Sequence, residues 1–231
     1  DYPPLQSVED YRPCPAPAGE AGVIARAAAK LCGASRPVII AGGGIKNTEG
    51  HSAALALAEA LNAPVVTSPG HGDAIPFGHP LNAGQMGPRG NVVASQLVKE
   101  ADVILALGTR IGFNATFYSY DNINRDAAII QIELEPTALG RYFPVEIGIW
   151  ADAPTAALQL CEEVKRLDQR RLADDWTATF KADRQAFLAA RDAQAITAAN
   201  PIQPSGLFKT LRDVLPKNAA ITMDAGTLCL Q

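Results

Sequence analysis

Three consecutive glycines, Gly42, Gly43 and Gly44, follow the apolar run Pro37-Val38-Ile39-Ile40-Ala41. A turn without Cβ atoms lets backbone amides approach a phosphate closely. The same residues also suit a tight strand-to-helix turn, and the usual dinucleotide fingerprint is broken because Asn47 holds its third glycine position. Arg110 follows a second apolar run and Gly108. A guanidinium there can fork onto a phosphate, stack on a base, or pair with a nearby carboxylate. Glu133 and Glu135 close another run. Carboxylates in that place accept from ribose hydroxyls or cap the following helix. Asp152 stands just before a helical pattern and fits an N-cap better than a ligand contact. His51, His71 and His79 share no metal-ligand spacing and read as loop or surface histidines. Neither a G-x-S-x-G elbow nor a P-loop occurs. No catalytic residue and no metal ligand is expected, and the chemistry on offer is nucleotide recognition.

Those residues need strands to hold them. Pro37–Ala41 is a short apolar run without polar alternation, and Pro64–Thr67, Asp102–Leu107, Ala128–Ile132 and Val145–Ile149 also read as strands. The first of them reads as a strand buried on both faces. Helical spacing lies between them, over about Glu20 to Leu31, Glu49 to Leu61 (with Leu55, Ala58 and Leu61 on one side), 91 to 100 and Ala153 to Leu167. Residues 69 to 90 form a long segment rich in glycine and proline. Alternating strands and helices imply right-handed crossovers and an α/β, doubly wound parallel sheet. Ligands bind such sheets beyond the strand carboxyl ends. Here those ends are Gly42 to Gly44, Thr67 and Ser68, Gly108 to Arg110, and Glu133 to Glu135.

The flanks differ. Residues 1 to 19 carry five prolines and read as an extended linker. Residues 166 to 204 hold an amphipathic helix whose stripe is Leu172, Trp176, Phe180 and Phe187. Residues 205 to 231 add a helix from Ser205 to Leu215, a strand from Ala219 to Met223, and the turn Asp224-Ala225-Gly226. Both ends read as cut, so a piece of a longer chain is expected.

The composition narrows the classes. Hydrophobic residues make up 48% of the 231 and charged residues 19%, enough for a sizeable core. A net charge of −4 without a Lys/Arg cluster argues against a nucleic-acid partner. No apolar run is long enough to span a bilayer. Cys14, Cys32, Cys161 and Cys229 show no C-x-x-C spacing, which suits a reducing, cytoplasmic setting, and Cys32 and Cys161 fall on apolar helix faces.

The order of the pieces resembles the acetolactate-synthase family of thiamine-diphosphate enzymes. The matching text is R-P-V-I-I-A-G-G-G at 36–44, A-L-N-A-P-V-V-T-S at 60–68 and G-D-A-I-P-F-G-H-P-L at 72–81. It continues with G-Q-M-G-P-R-G at 84–90, E-A-D-V-I-L-A-L-G-T-R at 100–110 and I-I-Q-I-E-L-E-P at 129–136. The family builds each subunit from three α/β domains, and the resemblance assigns residues 20 to 165 to the central, Rossmann-like (DHS-like) nucleotide-binding domain. It assigns 1 to 19 and 166 to 204 to linkers, and 205 to 231 to the start of the diphosphate-binding domain. It implies a parent enzyme that uses thiamine diphosphate and Mg²⁺ on a 2-oxo acid, neither bound by this chain alone. The missing N- and C-terminal domains and further copies in a homo-oligomer become the implied partners. Flavin-binding members hold FAD through positions that match Gly42 to Gly44, Gln85, Met86 and Gly87, Arg110, and Glu133 to Glu135. They usually carry Asp-Asp-Arg after that arginine, where this chain reads Ile111-Gly112-Phe113-Asn114. FAD, ADP, a CoA-type ligand and an empty structural crevice therefore stay open. So do sulfoacetaldehyde acetyltransferase, oxalyl-CoA decarboxylase, benzoylformate decarboxylase and a stand-alone FAD- or nucleotide-binding electron-transfer module.

Overall fold

The computed structural model describes residues 16–46, 50–167 and 174–216, with 219 and 221. The elements in chain order are α1 (Ala21–Cys32), β1 (Pro37–Ala41), α2 (Gly50–Leu61), β2 (Val65–Thr67), β3 (Asn82–Gln85), α3 (Val92–Glu100) and β4 (Val103–Leu107). Then come α4 (Phe113–Thr116), β5 (Ala128–Glu133), β6 (Ile147–Trp150), α5 (Ala153–Leu167), α6 (Asp174–Gln194) and α7 (Pro204–Val214). Most of the expected linker 1–19 and of the expected strand Ala219–Met223, and the turn at Asp224, lie outside the described residues, as do Asn47, Leu172, Cys14 and Cys229.

The chain forms two units, residues 1–180 and 181–231. In the first, six strands lie in the order β3-β2-β1-β4-β5-β6, all parallel. Chain progress reverses direction at β1, which pairs with both β2 and β4. That switch point is where an open parallel sheet leaves a crevice.

Alternation along each strand feeds two layers. Ile39, Ala41, Leu105, Leu107, Ile130 and Ile132 face α1, α2 and α5. Val38, Ile40, Ile104, Ala106 and Ile129 face the other way, with Leu97 and Val98 of α3 and Phe180 of α6. Each such Val, Ile, Leu or Phe side chain contributes about 1.5–3 kcal/mol by leaving water. The amphipathic stripe expected around 172–187 therefore has a seat: Phe180 is buried, and the Trp176 Nε1–H donates to the Pro37 carbonyl at 3.2 Å. Cys32 and Cys161 both lie in the core, as expected.

Two expectations need adjusting. Leu57, not Leu55, faces the core from α2, since Leu55 is only half-buried. The glycine- and proline-rich segment 69–90 contains a strand, β3, of weak propensity. Pairing with β2 imposes it, through a register shift between Val65 and Val66. The Asn82 side chain anchors it by donating to Ile75 O and accepting from the Gly84 amide. Tertiary pairing has overridden local preference there.

In the second unit, Asp192 accepts from Arg191 and Arg212, which lowers its carboxyl below the usual range, Arg212 first. Gly206 packs beneath the Ile196 carbonyl.

Candidate functional site

A crevice of about 440 Å³ opens beyond the carboxyl ends of β1, β2, β4 and β5. Gly43, Gly44, Ser68 and His71, Gly108 to Arg110, Gly112 to Ala115, and Glu133 line it. Its volume sits near the lower end of small-ligand sites, about 300–1,000 Å³.

The glycines serve packing first. A Cβ on Gly42 would lie 2.4 Å from the Gly108 carbonyl oxygen, and one on Gly44 2.7 Å from the Gly108 Cα. The Gly42 amide donates to Leu107 O and the Gly44 amide to Gly108 O, both at 3.0 Å. Gly108 itself holds φ +60°, where an L side chain is strained. The β1 and β4 turns are thus laced together, and two of the three amides expected to meet a phosphate are spent. Only the Gly43 amide has no acceptor among the described residues.

Other polar groups sit beside it. Ser68 is only 6% exposed, lines the crevice, and its hydroxyl has no hydrogen-bond partner among the described residues. The His71 ring lies on Gly43, so that a Cβ there would be 2.7 Å from its Cε1. Its Nδ1 is buried without a partner, as is the Thr67 hydroxyl. Burial holds the His71 pKa below its ordinary value, and Lys46 adds to this while Asp73 opposes it. Lys46 is itself paired with Asp73 at 2.8 Å, and that contact lowers the Asp73 carboxyl. His71 had no distinguishing spacing in the sequence. Its usable signal was position, three residues after Ser68 at the end of β2.

Arg110 lines the crevice, exposed, with no ion pair among the described residues. Glu133 lines it too, while its carboxylate accepts from the Leu134 and Glu135 amides at 3.0 and 3.2 Å. Glu135 turns away and caps the next turn through Thr137, whose hydroxyl and amide hold its pKa low, with Arg110 and Arg141 adding to this. Asp152 is an N-cap, as expected, accepting from the amide and hydroxyl of Thr155 at the start of α5. Of the expected positions, Gly43, Gly44, Arg110 and Glu133 meet at the crevice.

Gly42, Gln85, Met86, Gly87, Glu135 and Asp152 are not in its lining. Met86 is in the core, and Gly87 backs the crevice wall, since a Cβ there would lie 2.8 Å from Ala115 O.

An aromatic cluster, of which Phe113 lines the crevice, was not foreseen. Phe113 stacks near Phe117 and Tyr118, at 4.8 and 5.6 Å, and Tyr118 stacks on Tyr142 at 4.6 Å. All four rings are exposed. Ile111, Phe117 and Tyr118 all hold positive φ, 49°, 49° and 56°, which L residues reach only with strain. The segment occupies the place where the flavin-binding text was expected.

Among the described residues no group of three or more His, Cys, Asp or Glu side chains converges. The residues do not fit a diphosphate–Mg²⁺ site, and no bond-breaking step is derived from them. No described helix is long and apolar enough to cross a membrane. The arrangement can bind a phosphate-bearing ligand by hydrogen bonds, with one guanidinium.

A family model described as "Thiamine pyrophosphate enzyme, central domain" matches residues 24–160. The chain is 35% identical to a protein named sulfoacetaldehyde acetyltransferase from Rhodobacter capsulatus, over 93% of this chain and 39% of that protein. A Castellaniella defragrans protein of the same name is 32% identical over 91% and 38%. An acetolactate synthase large subunit from Buchnera aphidicola is 29% identical over 97% and 38%. The chain spans about two fifths of the length of these curated relatives.

Proposed function

Because the chain belongs to the thiamine pyrophosphate enzyme central-domain family, we propose that it is the middle, nucleotide-recognising domain of a thiamine-diphosphate enzyme that transfers a two-carbon unit. The observation that carries the parent activity is the similarity over nearly the whole chain to proteins named sulfoacetaldehyde acetyltransferase and acetolactate synthase. Identity of 35% against 29% favours an aldehyde or acetyl substrate of the first kind, with an acetolactate-type reaction on a 2-oxo acid as the second reading. Thiamine diphosphate with Mg²⁺ supplies the electron sink for such chemistry. On this reading both are held by other domains of the parent, which are this domain's nearest partners within a homo-oligomer. An assay of the parent decides the substrate: thiamine-diphosphate-dependent consumption of sulfoacetaldehyde supports the first reading, and consumption of a 2-oxo acid alone supports the second. Consumption of neither removes both.

The domain's own part is to bind an adenine nucleotide, ADP or the ADP portion of FAD, between Gly43 and Arg110. What supports this is the unpaired Arg110 facing unpaired donors across a crevice at the switch point. Calorimetric titration of the chain with ADP, FAD and CoA tests it, with thiamine diphosphate plus Mg²⁺ as control. ADP or FAD should bind and the control should not. Binding of none of the three leaves the crevice purely structural.

A further inference from the structure

We propose that His71 is a specificity-determining residue of the crevice: it offers a single imidazole N–H, on Nε2, beside the Gly43 amide and the Ser68 hydroxyl, to a phosphate oxygen of a nucleoside diphosphate. The ligand's identity rests on the nucleotide reading above; the state of the ring does not.

The ring is held in a defined place. It packs against Gly43 so closely that only glycine fits beneath it, with Cε1 at 2.7 Å and Nε2 at 3.1 Å from the site of a Cβ. Nδ1 is buried and meets no partner, whereas Nε2 is not among the occluded atoms and carries no hydrogen bond among the described residues. A proton on both nitrogens would bury an unpaired, charged donor, a costly state. Of the two neutral forms, the one with its proton on Nδ1 leaves an orphaned buried N–H, the rarer condition in folded chains. The remaining form presents Nε2–H to the crevice.

The surrounding charges agree. Lys46, just after the β1 turn, disfavours a second positive charge; Asp73 on the same loop favours one but is tied to Lys46 at 2.8 Å. His51 of α2 acts on Asp73, and Arg110 and Glu133 face the crevice from the ends of β4 and β5. A phosphate entering there meets one guanidinium and three neutral donors. Those donors have no other partner among the described residues, and buried polar groups in folded proteins find one in ligand or ordered water.

Nitrogen-15 NMR of the histidines in the whole 231-residue chain reads the tautomer directly. The expected result is Nε2–H with unprotonated Nδ1 at neutral pH, and a shift of that resonance when ADP is added. Calorimetry follows on folded variants. His71→Leu should weaken ADP about tenfold, the loss of one hydrogen bond to a charged group. His71→Gln, which keeps an N–H donor, should stay within about threefold, and adenosine, lacking phosphate, should not distinguish the variants. A ring protonated on Nδ1, or a Leu variant that binds ADP like the parent sequence, overturns the proposal. If the Leu variant does not fold, the Gln variant and the NMR titration decide. If the unaltered chain ignores ADP, the nucleotide reading falls. Inorganic phosphate then decides for His71: a shifted Nε2–H keeps the phosphate seat, and an unmoved one removes it.

Discussion

The sheet body and its carboxyl-end rim obey opposite rules. In the body, β1 and β4 are buried throughout, and their Val, Ile, Leu and Ala side chains join one or the other of the two apolar layers. Along the rim, the Gly43 amide, the Ser68 hydroxyl, His71 Nδ1 and Thr67 Oγ1 lack partners among the described residues, three non-glycine residues hold left-handed backbone, and four aromatic rings are exposed. Unspent hydrogen-bonding capacity and strain collect where function sits, because folding alone gives no reason to keep them. The difference teaches that the rim is built for an occupant and the body for the rim.

Substitutions can break this contrast. The largest loss is expected in the body. Ile40, fully buried in β1, should cost about 2–5 kcal/mol as Ile40→Ala, through lost transfer energy and a cavity. Denaturant unfolding measures it, and a loss below half a kcal/mol would mean the body is looser than its burial says. Next comes the seam between body and rim. Gly42→Ala should cost about 1–3 kcal/mol, because the new methyl would sit 2.4 Å from the Gly108 carbonyl, backbone that cannot swing aside. If Gly42→Ala instead weakened nucleotide binding and left stability alone, the glycine would belong to the rim.

Asp152 sharpens the boundary further. Its carboxylate caps α5 through Thr155, so Asp152→Ala should cost about 1 kcal/mol of stability without changing ligand affinity. Ser68→Ala should do the reverse. It removes a hydroxyl that makes no hydrogen bond among the described residues, so stability should stay within about 0.5 kcal/mol while ADP binding weakens. A matched fall in both quantities for either variant would dissolve the distinction.

The body was legible in the sequence and the rim only in part. Runs such as Val38-Ile39-Ile40 and Val103–Leu107 announce strands buried on both faces, and the helical spacing between them forces parallel crossovers. β3 escaped because Asn82-Ala83-Gly84-Gln85 has no strand propensity, and its pairing is a tertiary fact. At the rim, the strand-end rule led to Gly43, Gly44, Arg110 and Glu133. It could not show that the Gly42 and Gly44 amides are spent on the end of β4, since hydrogen-bond partners 65 and 64 residues apart are invisible in a linear text. His71 was passed over for the same reason: nothing in Pro-Gly-His-Gly says that the ring will lie on Gly43.

The smallest expected effect is the pH dependence that this ring contributes. Burial and Lys46 lower the folded-state pKa of His71 below its ordinary 6.5. As pH falls from 6.5, the unfolded chain takes up this proton before the folded one does, so unfolding gains and stability declines. Below the folded value both states are protonated and the decline from this group stops. Stability from His71 is therefore fully present above 6.5 and lost toward the acid side, and the ring's partial exposure keeps the loss modest. Melting temperatures across that range, compared with His71→Gln, should show a shallower acid slope in the variant. Bound ADP should flatten the slope of the unaltered chain, because a phosphate at Nε2–H favours the imidazolium and raises the folded-state value back toward 6.5. Equal slopes with and without ADP would place His71 with the body, a packed side chain whose orphaned nitrogen the fold simply tolerates.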